Sequence, residues 1–192
     1  MNILIIDTCL GSLSVSLATP SKLVKEITIT ENNQQSRLLA STVKDILSSC
    51  EMQVTDINTI IATNGPGSFT GIRIGLSFVL GLQAMSQCDS YVCSTLATLK
   101  ADYAGKVLST IRAGSDAYYT HLLLNHEAID DIKVMSKSEL DKISDTRIIG
   151  HYKDPNLLPD PSVILKLFSD SNAKSKIFSD KIEPLYVKAP YF

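Results

Sequence analysis

The residues best suited to chemistry are concentrated in one short block, Gly65-Pro66-Gly67-Ser68-Phe69-Thr70-Gly71. An apolar run over 57–63 precedes it and another over 72–85 follows, so the glycines lie between a strand and a helix. Such glycines let the backbone curl until several N–H groups converge, and the positive end of the following helix adds to them; together they favour a phosphate or carboxylate. A tight turn with Ser68 or Thr70 as the N-cap of a buried helix explains the same residues, and the sequence leaves the two readings open. The block is not a G-x-x-x-x-G-K-[ST] loop, because Ile72 follows Gly71 and no lysine is near. Asp7-Thr8 ends the apolar run Ile3-Leu4-Ile5-Ile6 and offers a carboxylate and a hydroxyl, hard oxygen ligands suited to magnesium carrying a nucleotide. A turn-capping Asp is the commoner use of that residue. The candidate nucleotide-binding residues are therefore Asp7, Thr8, Gly65, Gly67, Ser68 and Thr70.

Other chemistries do not assemble. His121 and His126 are five apart in an expected strand and its end, on opposite faces, and His151 falls in a loop, so no metal site is expected. No G-x-S-x-G elbow and no Cys/His signature marks a nucleophile with its base, so the sequence names no catalytic residue and gives a peptidase role no support. Cys9, Cys50, Cys88 and Cys93 have irregular spacing without C-x-x-C and read as reduced, mostly buried thiols.

The elements that must hold these residues follow from periodicity. The run over 3–6 reads as a buried central strand, and 12–17 alternates as a half-buried antiparallel strand with Leu13, Val15 and Leu17 on its apolar face. A third strand near 23–30 completes a meander whose first turn displays Asp7 and Thr8. Helical spacing over 36–50 aligns Leu39, Val43, Ile46 and Leu47. The helix expected over 72–85 is apolar all round, which predicts burial on every side, and its Gly71-x-x-x-Gly75 spacing would let another helix approach closely. A helix near 95–103, strands over 106–112 and 118–124, and a helix over 162–168 complete the pattern, which is that of an α/β protein.

The chain has 192 residues, 44% hydrophobic, with 18 basic against 20 acidic side chains and a mean hydropathy of +0.12, an ordinary soluble composition. A formal net charge of −2 gives no overall attraction to polyanions. The first 100 residues hold 6 basic and 7 acidic side chains and the remainder 12 and 13, so the first half is the less charged and must bury or share its uncharged faces. The start lacks the pattern of a signal peptide, and the longest weakly polar run, 74–85, is short of the roughly 20 residues that span a bilayer. The expected location is cytoplasmic, without a membrane partner.

The residues 2–8, Ser14-Val15-Ser16-Leu17, the block 64–75 and Ser94-Thr95-Leu96 resemble the TsaB (YeaZ) family, whose members serve bacterial synthesis of threonylcarbamoyladenosine beside the tRNA anticodon. The likeness covers residues 1–100 and thins beyond them to pieces such as Glu183-Pro184-Leu185-Tyr186-Val187-Lys188. It implies an ASKHA fold (actin, Hsp70 and sugar kinases) of two βββαβα lobes, here divided as 1–97 and 98–192 with the second lobe shortened. It also implies a non-catalytic subunit that pairs with a TsaD-like transferase, is joined by a TsaE-like ATPase, and forms a homodimer when alone. The first two helices would make that interface, through Leu39, Val43, Ile46, Gly71, Ile72, Gly75 and Phe78. No cofactor of its own is implied, ATP or ADP being expected at the partner interface, and tRNA is reached only through the complex.

Three features depart from the family pattern. Gln35-Ser36-Arg37 stands where relatives have His-[ST]-[EQ], Arg112-Ala113-Gly114 stands where they often have Asp-Ala-Arg, and the chain is shorter. The alternative is a nucleotide-dependent ASKHA enzyme that uses Asp7, Thr8 and the Gly65–Gly71 loop.

Overall fold

The computed structural model describes residues 1–31, 34–99 and 105–187. The first strand, β1 (Ile3–Asp7), pairs antiparallel with β2 (Leu13–Thr19), which pairs antiparallel with β3 (Lys22–Ile29). After α1 (Gln35–Ser48), β4 (Thr59–Thr63) returns parallel to β1. Then α2 (Phe69–Ser86) leads to β5 (Asp89–Cys93), parallel to β4. Three meandering strands followed by two helix-linked parallel ones make the βββαβα lobe of the ASKHA class, with strand order β5-β4-β1-β2-β3.

The second lobe repeats the plan in reduced form. Antiparallel β6 (Lys106–Arg112) and β7 (Ala117–Leu124) pair over seven residues; β7 also pairs with β8 (Glu127–Ala128) and β9 (Lys133–Ser136). A helix of only four residues, α3 (Lys137–Leu140), leads to β10 (Arg147–Gly150), which lies parallel to β6. The chain then turns back. Helix α4 (Pro161–Ser169) lies on the first sheet, α5 (Ser171–Ile177) follows it, and β11 (Phe178–Ser179) pairs with β5 at the edge of that sheet. The chain passes from one sheet to the other between β5 and β6, while residues 161–179 pack with the first one.

The first sheet is covered on both faces. On one side Leu4, Ile6, Val15 and Leu17 meet Leu39, Val43 and Ile46 of α1 and Ile72, Leu76 and Val79 of α2. On the other, Ile3, Ile5 and Ile61 meet Ile164, Leu165 and Phe168 of α4. This second layer corrects the expectation of a half-buried β2: Ser14 and Ser16, on the face expected to be wet, are also buried. The expected helix near 95–103 is a single 3₁₀ turn at Thr95–Ala97, and residues 100–104 lie outside the described ones.

Helix α2 departs most from expectation. Its sheet-facing side is buried, but Phe69, Leu80 and Met85 are 55%, 48% and 72% exposed, so it is not enclosed all round. The sheet covers one face of a helix, and among the described residues no second layer lies beyond α2. Among the described residues this is the one helix long and apolar enough to cross a membrane by length and composition.

The glycines of α2 do not wait for a helix from elsewhere. A Cβ on Gly71 would lie 2.1 Å from the Thr8 carbonyl oxygen, and one on Gly75 would lie 2.4 Å from Thr8 Oγ1. The close approach is to the end of β1 in the same chain. A Cβ on Gly81, by contrast, meets nothing within 4 Å. Gly71→Ala should therefore destabilise the fold by about 1–3 kcal/mol through overpacking, whereas Gly81→Ala should stabilise it by about 0.5–1 kcal/mol through helix propensity. Denaturant midpoints measure both, and equal effects would show that the Thr8 contact does not constrain α2.

Candidate functional site

The parallel strands bring the ends of β1, β4 and β5 together, and the residues expected to hold a nucleotide gather there. Asp7 and Thr8 are 4% and 1% exposed. Asp7 Oδ1 accepts from the Thr63 hydroxyl and from the Cys9 backbone N–H at 3.2 Å, while Oδ2 is buried without a hydrogen-bond partner. Burial raises the Asp7 pKa above its ordinary value, outweighing these hydrogen bonds. Burial, helped by the nearby Asp7, pushes the Cys9 thiol up to about 12, and burial raises that of Cys93 as well. Neither sulfur is poised as a nucleophile. All four cysteines are free, with Cys50 the least buried.

The glycine loop is spent on its own chain. Thr8 Oγ1 donates to the Gly71 carbonyl at 2.7 Å, Ser68 N–H donates to the Cys9 carbonyl at 2.7 Å, and Gly71 N–H donates to Ser68 Oγ at 3.1 Å. A Cβ on Gly67 would stand 2.3 Å from the Cys9 oxygen. Ser68, not Thr70, is the N-cap of α2. Two of the loop's N–H donors are thus taken, that of Ser68 by the Cys9 carbonyl and that of Gly71 by Ser68 Oγ, and the turn-and-cap reading accounts for Gly67, Ser68 and Gly71. Gly65, with φ of +114°, turns beneath the C-terminal segment, where a Cβ would be 2.9 Å from the Leu185 oxygen. Thr70 is exposed.

The residues expected at a partner interface are placed inside. Leu39, Val43, Ile46 and Ile72 are at most 2% exposed, and Gly71 and Gly75 are also buried. They fill the gap between the helices and their own sheet, so no partner can reach them without opening the fold. Phe78 alone of the set remains partly open. Along one flank of α2 run Ile74, Phe78, Gly81 and Met85, spaced by four, three and four residues; the first two are half-buried against the core, whereas Gly81, Met85 and the nearby Leu80 are exposed. That spacing suits helix–helix packing and is readable in the sequence. The all-round apolar pattern hid which of two apolar stripes would face the sheet.

A second feature borders this surface. The C-terminal segment crosses the start of α2: Leu185 N–H donates to the Asn64 carbonyl at 2.8 Å, and Asn64 Nδ2 donates to the Glu183 carbonyl at 2.9 Å. Tyr186 stacks on Phe69 with ring centres 5.4 Å apart; Arg73 lies 3.7 Å over the Phe69 ring and donates to the Tyr186 hydroxyl at 2.8 Å. Among the described residues no group of three or more His, Cys, Asp or Glu side chains could hold a metal ion.

Comparison with known proteins places this arrangement. Residues 23–170 match the family model described as TsaD, tRNA N6-adenosine threonylcarbamoyltransferase. The chain belongs to this family. Within it the assignment is to TsaB (YeaZ): the chain is 33% identical over 124 residues to the tRNA threonylcarbamoyladenosine biosynthesis protein TsaB of Escherichia coli, covering 62% of this chain and 53% of that one. It is 29% identical over 154 residues to the Bacillus subtilis protein of the same name, covering 76% and 67%. The matched stretch spans about half the length of the E. coli relative. The solved structure of YeaZ from Pseudomonas aeruginosa superposes with a TM-score of 0.77 at 19% identity, covering 97% of this chain and 99% of that one, and shares the fold.

The buried Asp7 carries a pH signature. Because its folded pKa lies above the unfolded one, the folded state keeps a proton that the unfolded state releases, and stability falls as pH rises from about 4 through the folded value. Asp7→Asn retains the Oδ1 acceptor and has no charge to bury. It should be at least as stable as the parent at neutral pH, with an advantage that grows across that window in denaturant titrations. A loss of stability equal at every pH would show that the carboxyl is not held protonated.

Proposed function

We propose that this chain is a non-catalytic scaffold subunit that binds a TsaD-like transferase, joined by a TsaE-like ATPase, for threonylcarbamoylation of adenosine beside the tRNA anticodon in the cytoplasm. The observation that carries the reading is the two-sided character of α2. One side is locked to β1 by Gly71 and Gly75, while Leu80, Gly81 and Met85 are exposed away from it and Ile74 and Phe78 lie half-buried at the edge of the core. Exposed apolar side chains on a rigidly held helix suit a lasting protein interface, which can bury about 2,000 Å² or more in total. The Phe69–Arg73–Tyr186 cluster at the end of the stripe adds aromatic and Arg side chains, the types that dominate interface energetics.

Family membership supplies the partner's class. The same surface serves a second copy of this chain when the transferase is absent, and tRNA is met through the assembled complex. The nucleotide-dependent alternative gains nothing from the geometry, because Thr8 and the glycine loop are engaged with each other and Asp7 is buried against Thr63 and Cys9.

Leu80→Glu and Met85→Glu test the interface without touching the core. Both side chains are exposed, so thermal stability should be unchanged, while affinity for the TsaD-like protein should fall at least about tenfold through the cost of burying an unpaired charge. Titration calorimetry measures the affinity. Omitting each subunit in turn from a tRNA modification assay reports the function. Unchanged affinity in both variants would move the interface elsewhere, and modification that is indifferent to this chain would overturn the scaffold role.

A further inference from the structure

On the far side of the first sheet from α2, a groove runs between the β2–β3 turn and helix α4. Its volume is about 410 Å³, in the range that holds small ligands. The sequence makes its two walls in different ways. Thr19 and Lys22 face each other in the antiparallel register, so Pro20 and Ser21 form a tight turn, which the Thr19 hydroxyl fixes by donating to the Lys22 carbonyl at 3.4 Å. On α4, Ser162, Leu165, Lys166 and Ser169 recur at helical spacing and share one face. Ser169 Oγ donates to the Pro20 carbonyl at 2.9 Å and ties the two walls together, so the groove is preformed.

The lining is one-sided in charge. Lys22 and Lys166 come from opposite walls, both are exposed, and neither has a carboxylate partner among the described residues. No acidic side chain among the described residues lines the groove. The flanking carboxylates of α4 are occupied as helix caps: Asp160 accepts the Ser162 N–H at 2.8 Å, and Asp170 accepts the Asn172 and Ala173 N–H groups at 2.9 and 3.1 Å. The whole chain carries a net charge of −2, so the attraction for anions is local to this groove. Two ammonium groups without an acid match a dianion, and a phosphate monoester approaches that charge at neutral pH.

The rest of the lining suits the body of such an ester. Pro20, Leu23 and the buried Leu165 form an apolar floor on which the C–H face of a sugar ring can pack. Around it stand hydroxyls with capacity to spare. That of Ser162 is exposed and has no partner among the described residues, and that of Ser21 meets only the Thr19 hydroxyl, at 3.2 Å.

We propose that this groove binds a soluble sugar phosphate, its phosphate held between Lys22 and Lys166 and its ring laid against Leu165. The site is separate from the α2 surface and does not rest on the scaffold reading.

Titration of the full chain with glucose 6-phosphate, followed by NMR of the Leu23 and Leu165 methyl groups, tests the site; glucose, inorganic phosphate and vesicles containing phosphatidic acid form the other arms. Saturable binding of glucose 6-phosphate at millimolar concentration or below is expected, with weaker binding of inorganic phosphate and no response to glucose. Lys22→Gln and Lys166→Gln should each weaken binding about two- to fivefold, the range of an exposed charge pair. Thermal melting should be unchanged, because both side chains are exposed. Lys25 is exposed on β3 outside the groove, and Lys25→Gln should leave binding unaltered. Absence of saturable binding would overturn the site, as would an equal loss in Lys25→Gln or no loss in the two groove variants. Inorganic phosphate binding as tightly as the ester would overturn the sugar assignment, and capture by the vesicles without binding of the soluble ester would overturn it in favour of a lipid headgroup.

Discussion

The contact between the start of α2 and the end of β1 is the constraint on which the rest depends. Thr8 Oγ1 donates to the Gly71 carbonyl, Ser68 N–H donates to the Cys9 carbonyl, and Gly71 and Gly75 remove the two Cβ atoms that would hold the helix away. Backbone then meets backbone at a distance that side chains never allow. This contact fixes the rotation of α2 about its axis. It turns Ile72, Leu76 and Val79 onto the sheet, sets Ile74 and Phe78 at the edge of the core, and leaves Leu80, Gly81 and Met85 outside. It also closes the lid on Asp7, because the loop that might receive a phosphate is folded onto Cys9.

The same contact separates two surfaces that the sequence presents as one. The glycine block reads equally as an anion cradle or as a helix start, and its glycines do serve close approach, but to the chain's own strand. What remains open to solvent near the loop is displaced sideways, toward Arg112 and His151 of the second lobe. A carboxylate buried at the strand end and a cation exposed across the cleft give the two sides opposite electrostatic roles. The Asp7 site resists charge, because burial raises its pKa, whereas Arg112 stays exposed at the end of β6.

Much of the fold was legible because the signals were local. The buried strand over 3–6, the alternation from Leu13 to Leu17 and the stripe of Leu39, Val43 and Ile46 all appear where periodicity puts them. The errors arose where a second layer, or the lack of one, decides burial. Ser14 and Ser16 look wet, yet both are buried, on the face of the sheet whose apolar residues Ile3, Ile5 and Ala18 meet α4 from far downstream. The reverse holds for α2, whose Leu80 and Met85 look buried from the sequence but are exposed, since no layer among the described residues lies beyond the helix. The interface residues chosen from the first stripe were apolar and helical, as an interface requires, and so was the core that claimed them. Composition cannot distinguish the two uses; the close-approach glycines can, since they mark which side of α2 must face the densest neighbour.

This bears on the uneven charge of the sequence. A sheet covered on both faces leaves β1 and β4 wholly buried and β2 nearly so, with no position where a solvated charge is needed, and Asp7 is the one ionisable side chain in those three strands. That accounts for most of the low charge in the first 100 residues without invoking a partner. The remainder lies on the outer stripe of α2, where Ile74, Ser77, Phe78, Leu80, Gly81, Ala84 and Met85 follow Arg73 without another charge. An ordinary solvent-facing helix alternates lysine and glutamate there. Core burial explains neutral residues that are hidden, so it cannot explain these. A neutral stripe with Leu80 and Met85 exposed, on a helix whose rotation is fixed by glycine contacts, is the part of the composition that core burial leaves unaccounted for.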